Sequence, residues 1–171
     1  RTALESRFDM NDRHSLTGFV EREDEQFRNL YPFDPSQAGE QTRDLFGYGI
    51  EYRAQLADAT YANVSLRQDD GDQFDDATTY SVDVAHAVSD QIRVHASWGQ
   101  GVTNPTFLEQ FGFVPAQFTG NPNLEPEEAD GWDIGITTSF FDDALEMDVT
   151  WFQSTLENEI VALFPSVVNS S

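Results

Sequence analysis

The sequence predicts an all-β protein, built as an antiparallel up-and-down meander of about eight strands. Three observations carry this prediction. Apolar and polar residues alternate in segment after segment, 14 Phe and 5 Tyr accompany plentiful Thr and Val, and Gly and Pro recur between the segments. This usage is typical of strands and turns, so a helical architecture is not expected.

Six segments alternate clearly, and each has one apolar and one polar face. In the first of them, Phe46, Ile50 and Leu56 share the apolar face, while Glu51 and Arg53 lie on the other. The six cover residues 46–56, 61–67, 80–88, 92–99, 132–140 and 145–152, and two less regular segments cover residues 4–10 and 15–25. Across the six, the apolar face carries no Arg, Asp or Glu. A soluble β-sandwich that buries this face remains an alternative, as a ligand- or carbohydrate-binding module.

The connections between the segments alternate strictly in length. Those at 11–14, 57–59, 89–91 and 142–144 are short, whereas those at 26–44, 68–78 and 102–130 are long, and a further polar stretch covers 157–171. Short turns at one end and long loops at the other are typical of a barrel that crosses the outer membrane. Strands of roughly ten tilted residues also match the hydrocarbon thickness.

The charges on the polar face predict a wide barrel. A closed barrel of about eight strands has room only for its own side chains, so it would bury many acids and too few Arg to pair with them. We therefore expect residues 1–171 to be part of a larger barrel domain with a wet or plugged bore. Arg53, Arg67 and Arg93 are predicted to face that bore. They would pair with carboxylates of the bore or the plug, or attract an anionic ligand.

The longest connection carries two further predictions. Residues 104–111 suit one short helical turn, with Thr103 or Asn104 as N-cap and Pro105 in the first position. Residues 120–127 hold two prolines that stiffen the return to the next strand, where Asn121 and Asn123 can cap the turn. Four aromatic residues of this connection form either its own small core or a ligand platform: Phe107, Phe111, Phe113 and Phe118.

A second loop is strongly acidic and is a candidate Ca²⁺ site. Its five aspartates surround one glycine: Asp69, Asp70, Asp72, Asp75 and Asp76. Carboxylate oxygens are the ligands that Ca²⁺ prefers, although the EF-hand spacing is missing. A solvated acidic loop is the alternative, and no other cofactor is expected.

Composition excludes several classes of function. The formal net charge is −22, with nine Arg and no Lys, so nucleic acid is not expected as a partner. Without Cys, thiolate metal sites and Cys nucleophiles are excluded. His14, His86 and His95 lack metal-ligand spacing. A glycosidase would need two positioned acids that the sequence does not single out. We therefore do not expect this chain to be an enzyme.

Residues 93–136 contain four motifs in sequence. An aromatic-Gly-x-Gly strand end covers Trp98–Gly101, a Pro-Thr-Phe-x-Glu run covers Pro105–Glu109, a Gly-Asn-Pro-Asn-Leu-x-Pro-Glu run covers Gly120–Glu127, and the next strand starts at Trp132–Ile136. In these motifs the segment resembles the barrel region of TonB-dependent outer-membrane receptors. The family implies a barrel of the roughly 22-stranded type around a plug domain, both extending beyond these residues. It implies an outer-membrane location, contact with lipid, and coupling to TonB through the plug. It also implies uptake of a scarce nutrient such as a ferric siderophore or cobalamin, and some cobalamin receptors of this family order their loops with Ca²⁺.

Overall fold

Eight long strands form one antiparallel sheet, in which each strand pairs with its neighbours in chain order. The computed structural model describes residues 1–30, 39–112, 118–142 and 144–170. The strands are β1 (Thr2–Asn11), β2 (His14–Asn29), β3 (Gly39–Ala57), β4 (Thr60–Gly71), β5 (Ala77–Ala87), β6 (Ile92–Thr103), β7 (Glu127–Phe140) and β8 (Leu145–Glu157). The predicted all-β meander is confirmed. Nowhere in the described ranges does a helix reach the length and hydropathy that a membrane span requires.

Two smaller elements lie between and after these strands. A short helix, α1 (Phe107–Phe111), interrupts the connection from β6 to β7, and β9 (Glu159–Leu163) pairs with β10 (Ser166–Ser170) in a separate hairpin. This hairpin lies within residues 157–171, for which the sequence predicts only a polar stretch. Its strands are too short to produce a clear alternation.

The register keeps each face of the sheet continuous from strand to strand. One row across β3 to β7 is apolar and contains Tyr52, Val64, Val82, Trp98 and Trp132. The adjacent row is polar and contains Arg53, Asn63, Asp83, Ser97 and Asp133. Because side chains alternate along a strand, a matched register places all apolar rows on one side and all polar rows on the other.

The apolar face is uncovered. Ile50 is 51% exposed, Ile134 is 56% exposed, and Val82 and Val94 are also exposed. Among the described residues, the only other sheet is the small hairpin, so no second layer packs on this face. A soluble β-sandwich would bury these side chains in its core. The structure therefore does not support the sandwich alternative.

The dimensions of the apolar face match a bilayer. Ten residue steps separate Phe46 from Leu56 on β3, which is about 33 Å along a strand and about 25 Å in height at a tilt near 40°. From Phe46 onward the same face becomes charged, because Arg22 and Asp70 pair in register with Phe46 and Asp44 follows two positions further along. On the same face Tyr80 and Trp98 pack with ring centroids 4.8 Å apart, and aromatic residues of this kind are typical of the interfacial girdles of barrel walls.

The hairpin of β2 and β3 extends well beyond this belt, which corrects one prediction. Residues 26–44 were expected to be a long connection, but pairing continues to Asn29 and Gly39. Similarly, β4 continues to Gly71 inside the expected loop 68–78. These extensions are mostly polar and lack a continuous apolar face, so they resemble loops in sequence. The alternation of short turns and longer connections is nevertheless retained.

Candidate functional site

The polar face lines a cavity of about 950 Å³ that extends from β1 to β7. Its lining is rich in charged and hydrogen-bonding side chains, among them Arg7, Asp9, Arg53, Asn63, Asp83, His95 and Asp133. A cavity spread over so many strands of one sheet shows that the polar face is the concave one. We call it the lumenal face. Its charges contact one another and the open cavity rather than a dry core.

Arg67 lies at the centre of an ion-pair network on the lumenal face. Its Nη2 donates to Glu21 Oε1 at 2.5 Å, and its Nε donates to Asp69 Oδ2 at 2.6 Å. The guanidinium carbon lies 5.3 Å from the centre of the Phe19 ring. A Cβ at Gly47 would lie 2.7 Å from Arg67 Nη2, so that glycine makes room for the network.

The other two predicted lumenal arginines differ from Arg67. Arg53 Nε contacts Glu51 Oε1 at 2.6 Å and remains 61% exposed. Arg93 pairs in register with Thr137 on the same face, and it makes none of the ion pairs found in the described part of the chain. Two of the three therefore already have carboxylate partners within this chain. A contact between Arg93 and a plug carboxylate or an anionic ligand stays a prediction.

A second polar cluster lies at the β8 side of the lumenal face. Asp148 accepts hydrogen bonds from Thr137 Oγ1 at 2.7 Å and from Thr150 Oγ1 at 2.6 Å. His95 Nδ1 lies 4.0 Å from the same carboxylate. Thr137 is buried, and sequence reasoning did not identify the cluster because its members are spread over β6, β7 and β8.

Helix α1 is stabilised by a capping box whose N-cap differs from the predicted one. Thr106 is the N-cap, and its Oγ1 accepts from the Glu109 backbone N–H while the Glu109 side chain accepts from the Thr106 N–H. We expected Thr103 or Asn104 as the cap and Pro105 as the first helical residue. The helix instead begins two residues after Pro105. The Thr-x-x-Glu pattern of a capping box was visible in the sequence.

Arg43 ties this helix to the lumenal face of β2 and β3, and sequence reasoning missed it. Its side chain is only 6% exposed. Nη1 donates to the Pro105 carbonyl at 2.8 Å, and Nε donates to Glu25 Oε2 at 2.7 Å. The guanidinium lies 4.8 Å from the Phe107 ring centre and 5.5 Å from that of Phe74. We call these five residues the Arg43 anchor.

The predicted aromatic group of this loop is only partly a unit. Phe107 stacks on Phe27 at 5.7 Å and on Phe111 at 6.2 Å, so it belongs to the core of the loop. Phe111 keeps 36% of its surface exposed. Phe113 lies outside the described residues. Phe118 brings its backbone carbonyl against Gly112, whose φ is +65°. A ligand platform formed by these residues stays a prediction.

The rest of the loop packs on the hairpin of β9 and β10. Asn121 Oδ1 accepts from the Asn123 N–H at 3.0 Å, and Asn121 Nδ2 donates to the Val167 carbonyl at 3.1 Å. Leu124 and Val167 are among the few hydrophobic residues that are buried. The predicted turn function of Asn121 is therefore seen, together with a hairpin contact that residues 120–127 alone did not indicate.

The aspartates proposed for Ca²⁺ do not converge. Asp69 binds Arg67, Asp70 accepts from Gln68 Nε2, and Asp72 Oδ1 accepts from the Asp44 backbone N–H at 3.2 Å. In the parts of the chain that the structure describes, no three His, Asp or Glu side chains are placed to hold a metal ion. Ca²⁺ binding at Asp69, Asp70, Asp72, Asp75 and Asp76 stays a prediction.

Two further cavities at this end of the sheet are strongly negative. One of about 740 Å³ is lined by six acids and by no basic residue: Asp75, Asp76, Glu125, Glu128, Asp130 and Glu157. The other, of about 280 Å³, is lined by Glu21, Glu23, Asp69, Asp70 and Asp75, with Arg67 as its basic residue. Ala77 lines both cavities. The long-loop end of the sheet thus has an excess of negative charge.

Comparison with known proteins adds a family and a set of relatives. The family model described as TonB dependent receptor-like, beta-barrel, matches residues 1–171. The Vitamin B12 transporter BtuB of Photobacterium profundum is 26% identical over 141 residues, which are 82% of this chain and 22% of that protein. The corresponding transporter of Vibrio vulnificus is 28% identical over 131 residues, or 77% of this chain and 20% of that protein.

Solved structures share the fold. The siderophore receptor PirA from Pseudomonas aeruginosa superposes with a TM-score of 0.84 at 21% identity, over 98% of this chain and 33% of that one. The copper transporter OprC superposes with a TM-score of 0.74 at 16% identity, over 92% of this chain and 29% of that one. The chain therefore spans between about a fifth and a third of the length of these relatives.

Proposed function

Since the chain belongs to the TonB-dependent receptor β-barrel family, we propose that it forms part of the wall of an outer-membrane receptor that takes up a scarce nutrient. Eight strands of the wall place apolar side chains outward into lipid and charged side chains inward along a wet bore. The extracellular connections, above all residues 104–126, contribute to the mouth of the bore. The function is binding and passage, without chemistry on the cargo.

One observation carries the proposal. The apolar face is uncovered over the full sheet, while the opposite face lines a cavity with paired charges. In water, so large an exposed apolar surface would drive association. In a bilayer it is the surface that stabilises the protein, because lipid tails replace the missing core. The polar face is then the one that contacts water inside the barrel.

The nature of the cargo is part of the proposal. The sequence relatives are vitamin B12 transporters, and the structural relatives include siderophore receptors, so we infer a ferric siderophore or cobalamin as the nutrient class. Energy would reach the receptor from TonB through a plug domain of the full-length protein.

The test uses the full-length receptor in cells that lack their own B12 and siderophore receptors. We expect uptake of radiolabelled cyanocobalamin or of ferric enterobactin, and we expect deletion of TonB to abolish it while surface binding persists. A receptor that fractionates with the soluble proteins, or uptake that is indifferent to TonB, would contradict the proposal.

A further inference from the structure

We propose that Arg43 is the positioning residue that holds helix α1 against the lumenal wall, and that nutrient binding depends on this placement. The inference rests on the function proposed above. Arg43 faces Glu25 directly across β2 and β3, in the same alternation as the lumenal Glu21 and Gly47. A residue of the wall therefore contacts a loop that starts at β6, with β4 and β5 lying between.

The contacts of Arg43 come from three separate segments: β2, the connection from β4 to β5, and the connection from β6 to β7. Glu25 belongs to β2, Pro105 precedes α1, Phe107 belongs to α1 and Phe74 lies between β4 and β5. The guanidinium gains a charged partner, a carbonyl acceptor and two aromatic faces, so its charge is compensated although the side chain is only 6% exposed. Without the loop, Arg43 and Glu25 would form an ordinary surface pair worth little. The burial of this ion pair is therefore specific to the inward position of the loop.

The same hairpin offers a matched control. Arg28 pairs with Glu40 at 3.1 Å, also between β2 and β3, but its side chain is 61% exposed. In the described part of the chain, its guanidinium donates to Glu40 and not to the β6 to β7 connection. Removing Arg28 should therefore remove one Arg–Glu pair from the same two strands without disturbing α1.

Helix α1 presents apolar surface that the anchor does not use. Leu108 is 46% exposed and Phe111 is 36% exposed, next to the stacked rings of Phe107 and Phe27. Arg43, the arginine in contact with this helix, already has a carboxylate partner in Glu25. We infer that the surface formed by Leu108 and Phe111 receives an apolar or aromatic face of the nutrient rather than an anionic group.

Hydrogen exchange on the full-length receptor tests the positioning without any ligand. In Arg43→Met, the amides of Gln110 and Gly112 should exchange at least about tenfold faster, while those of β6, β7 and the β9–β10 hairpin keep their rates. Arg43→Lys keeps the charge but loses the forked contact, so its exchange rates in α1 should lie between those of Arg43→Met and of the wild type. Arg28→Met should match wild type. Unchanged exchange in α1, or an equal rise across the strands, would overturn the proposal.

Uptake measurements test the consequence for binding. Cyanocobalamin and ferric enterobactin serve as the two probes. For whichever the wild-type receptor takes up, Arg43→Met should raise the half-saturating concentration roughly tenfold and leave the maximal rate unchanged. If hydrogen exchange in α1 becomes faster but the half-saturating concentration is unchanged, the proposed dependence of nutrient binding on α1 is overturned. If the wild type takes up neither probe, the proposed cargo fails, whereas hydrogen exchange still decides the role of Arg43.

Discussion

Placing a single charge on the outward face should destabilise the receptor far more than placing it one residue away. Val84 on β5 is the residue to change, because it lies midway between the outward-facing Tyr80 and Val88. Four residue steps are about 14 Å along the strand, so Val84 lies about 10 Å in depth from either end, close to the bilayer midplane. Val84→Arg should cost about 2–4 kcal/mol, the value for Arg at that depth in a barrel wall.

The neighbouring position is the control. Ala85 lies on the lumenal face by the alternation of β5, in register with Tyr61 and His95. Because water reaches this face, Ala85→Arg should cost at most about 1 kcal/mol, the scale of an exposed substitution.

The assay is equilibrium unfolding of the full-length receptor in lipid vesicles, titrated with guanidinium chloride. A loss of about 3 kcal/mol changes the ratio of folded to unfolded receptor on the order of 100-fold, which is well resolved. The reasoning is refuted if Val84→Arg is tolerated while Ala85→Arg prevents folding, because the faces would then be reversed.

Three further predictions concern the loop and the mouth of the bore. Thr106→Ala removes the capping box and should destabilise α1 by about 1 kcal/mol. Hydrogen exchange should become faster in α1 and stay unchanged in the strands. Unaltered exchange in α1 would contradict the role of Thr106 as N-cap. Gly120→Ala should expose the loop to proteases, because a Cβ there meets backbone atoms of Gln110, whereas Gly101→Ala, with nothing within 4 Å of its Cβ, should behave as wild type. A cysteine at position 77, between the two acid-lined cavities, should react about tenfold faster with a cationic than with an anionic methanethiosulfonate, after correction for intrinsic rates. Faster reaction with the anionic reagent would refute the prediction that this end of the sheet carries an excess of negative charge.

The fold was predictable because it depends on local patterns. Alternation at positions such as Ile50, Val82 and Ile134 fixes which side chains share a face, and the alternating lengths of the connections fix the meander. The placement of Arg53 and Arg67 on the polar face of the sheet follows from the same alternation. These predictions do not require knowledge of which distant segments of the chain are in contact.

The loop was less predictable because its structure depends on contacts between segments distant in the chain. Arg43 appeared to be one more polar residue in a polar stretch, and only the fold brings it to Pro105, 62 positions away. The contact of Asn121 with Val167 crosses 46 positions and depends on a hairpin whose alternation is too short to detect. The N-cap at Thr106 differs in kind, since its Thr-x-x-Glu signal is local and was overlooked in favour of Pro105.

The most direct test of the lipid-facing wall is a nitroxide scan of residues 80–88 in the full-length receptor, cleared of other cysteines and reconstituted in lipid. Collision rates with oxygen report contact with acyl chains, and collision rates with a water-soluble nickel chelate report contact with water. The outward residues Tyr80, Val82, Val84 and His86 should favour oxygen, and the lumenal Ser81, Asp83 and Ala85 should favour nickel. Even-numbered positions shielded from both reagents would instead show a packed protein core and contradict the assignment.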